Sequence, residues 1–431
     1  MMTNGMILLA GVVTGIVTAR LLLPEGRGVL AAIQFWPQLL LGLGSFGLNQ
    51  STTYQLSQPE AQSKTIISSA FWLSLVLAGC TAVVGLIALP YLLGAQRDSW
   101  MPLARTYLIL LFPFGFTILV LRSVDQGRLK FWRFNLLSLS VPVIYLISLI
   151  GLWHFKAVTV NNVVLTSVLS TVVVSLVRII ADRKELSPGA VSYNETKRLL
   201  QIGCRFHITV VLIMVASQAD RIVLMAMWNN TSIGLYMVAF TVASSGLNVI
   251  ANSFHTITFP NIGRLADTES QRQYLGKYLR HAMLLLVITS IALAGLSPWL
   301  VPLLFGQAFR PAVSLTVVLL IANIPIAMRQ IIVSSLRGLG ESKASSISEV
   351  IALTTFIALS FLIGKRIGLL GIAVSLLVAY SLSSLYLATH LRSRLFMRAS
   401  DWWGLNLATC SEAVCAGRAI LWQAIGRKSP R

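Results

Sequence analysis

Five charged side chains within or at the edges of long apolar runs are candidates to face a cavity: Arg20, Arg105, Asp220, Arg221 and Arg329. A charge at mid-bilayer costs about 2.5–3.5 kcal/mol on insertion scales. Each is therefore expected to face a wet cavity or a partner rather than lipid. Four of the five are arginines, whose planar guanidinium offers a fork of N–H donors suited to phosphate oxygens. Arg20, Arg221, Arg329 and Arg105 are thus the candidate lumen residues, and the cargo they suit is anionic. Headgroup contact is the competing reading for Arg20, near the end of its run, and for Arg105, which begins one. Asp220 is the best-placed carboxylate to bind a coupling proton or sodium ion. It could equally form a structural ion pair with Arg20 or another basic neighbour. Pro113 and Pro325 each sit inside a run, where proline removes a backbone hydrogen bond and bends the helix. Both are candidate hinges, and Pro325 precedes Arg329 by one helical turn.

Covalent chemistry has little to draw on. The five histidines (His154, His207, His255, His281 and His390) are dispersed, and Cys80, Cys204, Cys410 and Cys415 have no metal-ligand spacing. No HxxxD motif and no suitably paired carboxylates occur, so a membrane-embedded glycan polymerase or acyltransferase is disfavoured. No catalytic residue, metal or cofactor is expected, beyond coupling to H+ or Na+.

The elements that must position these charges follow from composition. The 431 residues are 56% hydrophobic and 11% charged, against about 25% charged in soluble domains. So few polar side chains cannot enclose so apolar a core, and the surrounding solvent must be lipid. Twelve apolar runs stand out, at about 6–23, 29–51, 66–93, 101–121, 136–153, 162–181, 206–228, 232–258, 281–304, 313–336, 346–364 and 368–389. Backbone groups cannot be left open in hydrocarbon, and no alternating ten-residue strands occur, so the runs are predicted to be helices. The fold class is all-α integral membrane, with about 12 transmembrane helices.

The net charge of +20 would suggest nucleic acid in a soluble protein. Here the basic residues sit between apolar runs, where they set topology and attract lipid headgroups. One set of alternate loops holds Arg122, Arg128, Lys130, Arg133, Arg178, Arg183, Lys184, Lys197 and Arg198, among others. The opposite set holds only Arg20, Arg27, Arg97, Lys156, Arg310, Lys365 and Arg366. That excess places both termini in the cytoplasm, with Met6 to Leu23 as an uncleaved first span. The organisation read from these runs is an N-terminal six-helix lobe at 1–181, a cytoplasmic linker at 182–202, a C-terminal six-helix lobe at 203–389 and a basic tail at 390–431. Trp402, Trp403 and Trp422 in the tail suit a helix lying on the membrane surface.

The halves resemble each other. The first run ends Ala19-Arg20-Leu21-Leu22-Leu23 and is followed by Pro24-Glu25-Gly26-Arg27-Gly28. The seventh holds Gln218-Ala219-Asp220-Arg221 and is followed by Ile233-Gly234-Leu235-Tyr236. Pro113, Arg122 and Gly127 in the first half pair with Pro325, Arg337 and Gly340 in the second. Six spans per half make this a parallel repeat, related by an axis along the membrane normal and enclosing a central cavity.

These segments, with Gly44-Ser45-Phe46-Gly47-Leu48, Gly203, Leu304-Phe305-Gly306, Phe309 and Leu336-Arg337-Gly338-Leu339-Gly340, resemble the polysaccharide-transport branch of the multidrug/oligosaccharidyl-lipid/polysaccharide (MOP) exporter superfamily. The resemblance covers nearly the whole chain. It implies a two-lobed bundle in the bacterial inner membrane whose cavity opens alternately to each side. It also implies a cargo of polyprenyl-pyrophosphate-linked oligosaccharide, moved from the inner to the outer leaflet for surface polysaccharides such as O-antigen. Membrane lipids and other polysaccharide-assembly proteins would be the partners. An ion-coupled multidrug antiporter of the same superfamily is the alternative, although carriers of organic cations favour buried carboxylates and this chain offers Asp220 against several arginines. Orientation is open to direct measurement. Reporter fusions at either terminus are expected to be active only as cytoplasmic reporters, and a cysteine introduced at Asn229 is expected to react with a membrane-impermeant maleimide added outside the cell.

Overall fold

Among the described residues, the apolar runs fold as α1 (Met2–Gly44), α2 (Leu48–Leu56), α3 (Ser63–Leu93), α4 (Met101–Gly127), α5 (Phe131–His154), α6 (Val160–Asp182), α7 (Tyr193–Ser217), α8 (Ala219–Met227), α9 (Asn230–Ile262), α10 (Thr268–Phe305), α11 (Ala312–Gly338), α12 (Ser342–Ile367) and α13 (Leu369–Leu395). The computed structural model describes residues 2–58, 63–262, 265, 267–339 and 341–397, and none of these is in a strand. The surface helix expected in the tail lies outside the described residues beyond Met397, as do Arg264 and Gly340.

The count of spans follows from helix lengths. Ten helices are individually long and apolar enough to cross a membrane, and the two segments of α7, bent by 47° between His207 and Val210, make an eleventh. The 43 residues of α1 correspond to about 65 Å, twice the hydrocarbon thickness. Its backbone breaks at Leu23 (φ 59°, ψ 176°), immediately before Pro24, where an α conformation is disfavoured. Two spans therefore share this element, bringing the total to about twelve.

The second span is interrupted again at Ser45-Phe46-Gly47 before resuming as α2. Gly47 takes a positive φ of 68°, and a β-carbon there would overlap the carbonyl oxygen of Gly203 in α7. Glycine at 47 thus allows both the turn and the close approach of α2 and α7. α7 begins at Tyr193, so the second part of the 182–202 segment is helical. α10, at 38 residues, exceeds the bilayer, and its first turns carry Glu269, Arg272, Lys277 and Arg280.

By contacts the chain forms two compact units, Met1–Val238 with Pro302–Phe309, and Ala239–Val301 with Arg310–Arg431. In the first, α3 packs on α4, α4 on α6, and α2 on α4 and α7. Leu48, Ile67, Phe71, Leu121, Val124 and Leu199 form part of one buried cluster there. In the second, α13 packs on both α11 and α12. Small polar residues mediate these crossings: Ser383 donates to the carbonyl of Ser348 at 2.7 Å and Ser384 to that of Pro325 at 3.1 Å. Serine suits such seams because it lets backbones approach while finding a partner across the interface.

An ion network ties α4, α5 and α6 together. Asp125, which its basic surroundings in the sequence would place in a loop, lies within the last turns of α4, with 1% of its side chain exposed. Arg178 donates to both of its carboxylate oxygens, at 3.2 and 3.0 Å. Asp182 receives Arg178 at 2.9 Å and Arg133 at 2.5 Å. Arg128 pairs with Glu185 at 2.7 Å. Removing one partner from a buried pair leaves an uncompensated charge, which costs about 3–5 kcal/mol. Asp125→Ala is therefore expected to lower the melting temperature of the detergent-solubilised protein markedly, whereas Glu185→Ala, at the exposed rim, is expected to change it little; differential scanning fluorimetry checks both.

Candidate functional site

The seventh span is discontinuous. α7 ends at Ser217 and α8 begins at Ala219, with Gln218 between them at φ −114°, ψ 5°. The backbone at the break remains paired, the Gln218 N–H reaching the carbonyl of Met214 at 3.1 Å and the Gln218 carbonyl accepting from Ile222 at 3.0 Å. Asp220 and Arg221 fall in the first turn after the break. Asp220 is buried and accepts a 2.8 Å hydrogen bond from the hydroxyl of Tyr236, itself fully buried in α9. Its charge near the N-terminus of α8 also opposes the positive end of the helix dipole. Arg221 donates to the side-chain carbonyl of Gln218 at 2.7 Å.

Arg221 has a cationic neighbour. Arg27, one turn past the Leu23 break, lies close enough for the two guanidinium groups to repel each other, with Tyr145 of α5 also within electrostatic reach of Arg27. The Nε of Arg27 and the hydroxyl of Tyr145 are both buried and make no hydrogen bond among the described residues. Two like charges and unsatisfied donors in a low-dielectric setting are unfavourable alone. The break at Leu23 sets this geometry, because it brings the chain after Pro24 against the start of α9. A β-carbon on Gly28 would overlap the carbonyl oxygen of Asn230, and one on Gly234 that of Pro24. The two connections thus meet backbone to backbone.

The other candidates are placed differently. Arg20 donates its Nε to the carbonyl of Leu304 at 2.7 Å and an NH2 to the carbonyl of Leu303. These are among the last carbonyls of α10, which have no partner within the helix. Arg105 is exposed in the first turns of α4. Arg329, in the second unit, pairs with Glu349 of α12 at 2.8 Å, and its guanidinium stands 5.1 Å from the ring centroid of Tyr380. Pro113 and Pro325 each lie inside an unbroken helix, with Thr117 donating to the carbonyl of Pro113 and Ser384 to that of Pro325. Arg20, Asp220 and Arg221 therefore belong to one unit and Arg329 to the other.

Sequence reading passed over Arg27, assigned to a connection, and gave no role to Tyr145, Gln218 or Glu349. The signal for Arg27 was its place in the same repeated segment as Arg20. Tyr145 has no local signal, because Arg27 is remote in sequence, and Glu349 meets Arg329 only through the packing of two consecutive helices. At the membrane surface of the second unit, Glu341 receives His390 at 2.7 Å and Arg394 at 2.5 Å. The His390 hydrogen bond, with Arg394 beside it, holds the Glu341 carboxyl below its ordinary range against an opposing desolvation. No group of three or more metal-ligating side chains occurs among the described residues.

Residues 17–314 match the model of a family described as "Polysaccharide biosynthesis protein". A Shigella flexneri protein named "Putative O-antigen transporter" is 22% identical over 386 residues, covering 86% of this chain and 90% of that protein. Among solved structures, the lipid II flippase MurJ in an inward closed conformation shares 13% identity with a TM-score of 0.76, covering 99% of both chains. An inward-facing multidrug resistance MATE family transporter of the MOP superfamily shares 16% identity with a TM-score of 0.73, covering 90% of this chain and 94% of that one. At these identities the likeness is one of fold.

The buried carboxylate offers a direct check on this geometry. Tyr236→Phe removes the hydroxyl that Asp220 accepts from, and stranding a buried acceptor costs about 1–3 kcal/mol. The variant is expected to melt at lower temperature, and the additional change Asp220→Asn, which removes the charge, is expected to recover part of the loss. A double-mutant cycle on melting temperature measures the coupling.

Proposed function

The chain belongs to the polysaccharide biosynthesis protein family, and from that premise we propose that it is a transporter, not an enzyme, which flips a polyprenyl-pyrophosphate-linked oligosaccharide from the inner to the outer leaflet of the bacterial inner membrane. Surface polysaccharide assembly, of the O-antigen kind, is the process served, with other assembly proteins as partners. Transport proceeds by alternating access between two six-helix lobes, 1–181 and 203–389, with both termini in the cytoplasm. Name and fold in the relatives support this reading: O-antigen transport in the Shigella protein, lipid II flipping in the structural neighbour.

The observation that carries the proposal is the buried Nε of Arg27 and hydroxyl of Tyr145, without a hydrogen bond among the described residues, with Arg221 within electrostatic reach of Arg27. A diphosphate group cannot enter bare hydrocarbon, where one unpaired ion costs on the order of tens of kcal/mol in the Born limit. Two guanidinium groups whose mutual repulsion is relieved by an anion supply the missing solvation. Arg20 fastens the segment that carries Arg27 by holding the end of α10, and Arg329, paired with Glu349, is a lumen candidate of the second lobe. Asp220 serves as the coupling site for H+ or Na+, its Tyr236 hydrogen bond responding to ion binding. Pro113 and Pro325 provide the bends, and Arg105 contacts headgroups or cargo at the mouth.

Multidrug antiport on the same fold is the second reading, favoured by the likeness to MATE transporters. The buried carboxylates Asp220 and Glu349 are both already engaged, by Tyr236 and Arg329, which leaves little to attract an organic cation.

Reconstituted vesicles separate the two. Arg27→Ala and Arg221→Ala are each expected to slow translocation of a fluorescent lipid-linked sugar diphosphate about tenfold or more, since a charge-assisted hydrogen bond contributes about 1.5–3 kcal/mol. Lysine at either position should retain part of the rate, keeping the charge but losing the fork. Unchanged rates in both alanine variants would remove the cationic site, and proton-driven export of a cationic dye by the native chain would reverse the ranking.

A further inference from the structure

The first unit carries another basic feature, on the exposed face of α5 and α6. α5 is a peripheral helix: of its 24 residues, only Leu137 and Leu149 are fully buried. Its remaining apolar surface must meet lipid. Between it and α6 runs a groove of about 160 Å³, walled by Leu136, Ser140, Ile144, Val173 and Val177 and closed at one end by Arg133 and Arg178. Pockets that enclose a drug-sized molecule run to about 300–1,000 Å³. A space of this size takes a stretch of a single hydrocarbon chain rather than a sugar or a ring system. The groove is open to the side, as a lipid chain arriving from the bilayer requires.

Its depth in the membrane can be read from α5 itself. Trp132 and Trp153, near the two ends of the helix, are 78% and 64% exposed. Exposed tryptophans at helix ends sit at the membrane–water interfaces. Arg133 follows Trp132 directly, so the charged end of the groove lies at headgroup level and the apolar walls descend toward the chains.

The charges at that end decide the headgroup. Arg133 and Arg178 are balanced by Asp125 and Asp182, and Arg128 by Glu185. Beyond those pairs, Lys130, Arg183 and Lys184 are exposed at the same ends of α5 and α6, an excess of three positive charges. The inner arginines also keep hydrogen-bonding capacity. Arg178 spends its NH2 on both carboxylates, while its Nε is buried and makes no hydrogen bond among the described residues.

We propose that this groove binds an anionic membrane phospholipid, with one acyl chain between α5 and α6 and the phosphate at Arg133 and Arg178. Lys130, Arg183 and Lys184 select a headgroup with net negative charge over a zwitterionic one. The ion network that ties α4, α5 and α6 together thus doubles as the floor of a lipid site, and lipid charge feeds into the stability of this part of the protein.

Native mass spectrometry of the full chain in detergent tests the assignment, with dioleoylphosphatidylglycerol, dioleoylphosphatidylcholine and undecaprenyl phosphate as the probes. The first phosphatidylglycerol is expected to bind about tenfold tighter than phosphatidylcholine, given the contribution of each basic residue near a membrane surface. Ser140→Phe fills the groove without touching an ion pair and is expected to abolish that preference. Should it fail to fold, Val177→Trp blocks the same groove from an exposed position. The triple change Lys130→Gln, Arg183→Gln, Lys184→Gln is expected to lose the discrimination while keeping the native melting temperature. Equal affinity for the two phospholipids in the native chain would overturn the proposal. So would an unchanged preference in a folded groove-filled variant, or a first site that prefers undecaprenyl phosphate to phosphatidylglycerol.

Discussion

Hydrocarbon offers no hydrogen bonds, and that deficit organises this protein more than any single contact does. It forces the apolar runs into helices, and it then favours a partner for each polar side chain within them. Many of the serines and threonines return their hydroxyls to a carbonyl one turn back, as Thr18, Thr117 and Ser375 do. Acidic side chains in the interior are each met: Asp125 by arginine, Asp220 by a tyrosine hydroxyl, Glu349 by Arg329. Against that background, the Nε of Arg27 and the hydroxyl of Tyr145 are buried without a hydrogen bond among the described residues, as are a few other polar atoms.

The same deficit explains the two kinds of helix break. At Leu23 the chain turns at a proline, which has no N–H to leave stranded. At Gln218 the seventh span stops and restarts, and the residues just after the gap are the ones that carry charge. The backbone stays paired across this gap, with the Gln218 N–H on the carbonyl of Met214 and its own carbonyl accepting from Ile222, so the break redirects the chain without stranding either group. Both breaks belong to the repeated segments, and the connections that follow them meet through Gly28 and Gly234.

Much of the fold was legible before any coordinates. Runs of about twenty apolar residues can adopt little else in a bilayer, so the all-α class and the approximate number of spans followed from composition. Boundaries were less legible where helices leave the membrane. α10 continues well before the predicted run at 281–304, because its first turns are held by solvent-facing charges that hydropathy reads as loop. Asp125 looked like a loop residue for the same reason, its helix outlasting its apolar stretch. For the site, arginines inside apolar runs are conspicuous, but whether a guanidinium meets a carbonyl or a carboxylate depends on residues on other helices, up to 284 positions away. Arg20 meets α10, Arg329 meets α12, and Arg221 meets Gln218 while lying within electrostatic reach of Arg27.

Arg20 closes on main-chain oxygens at Leu303 and Leu304 rather than on any side chain. Such a partner cannot be deleted by point substitution, since almost any amino acid at those positions presents the same carbonyl. The residues around the end of α10 are therefore free to drift in identity while the fastening persists, and only the arginine itself is held to type. An attachment of this sort lets two sequences diverge until little but an occasional arginine and glycine still aligns, with the architecture intact.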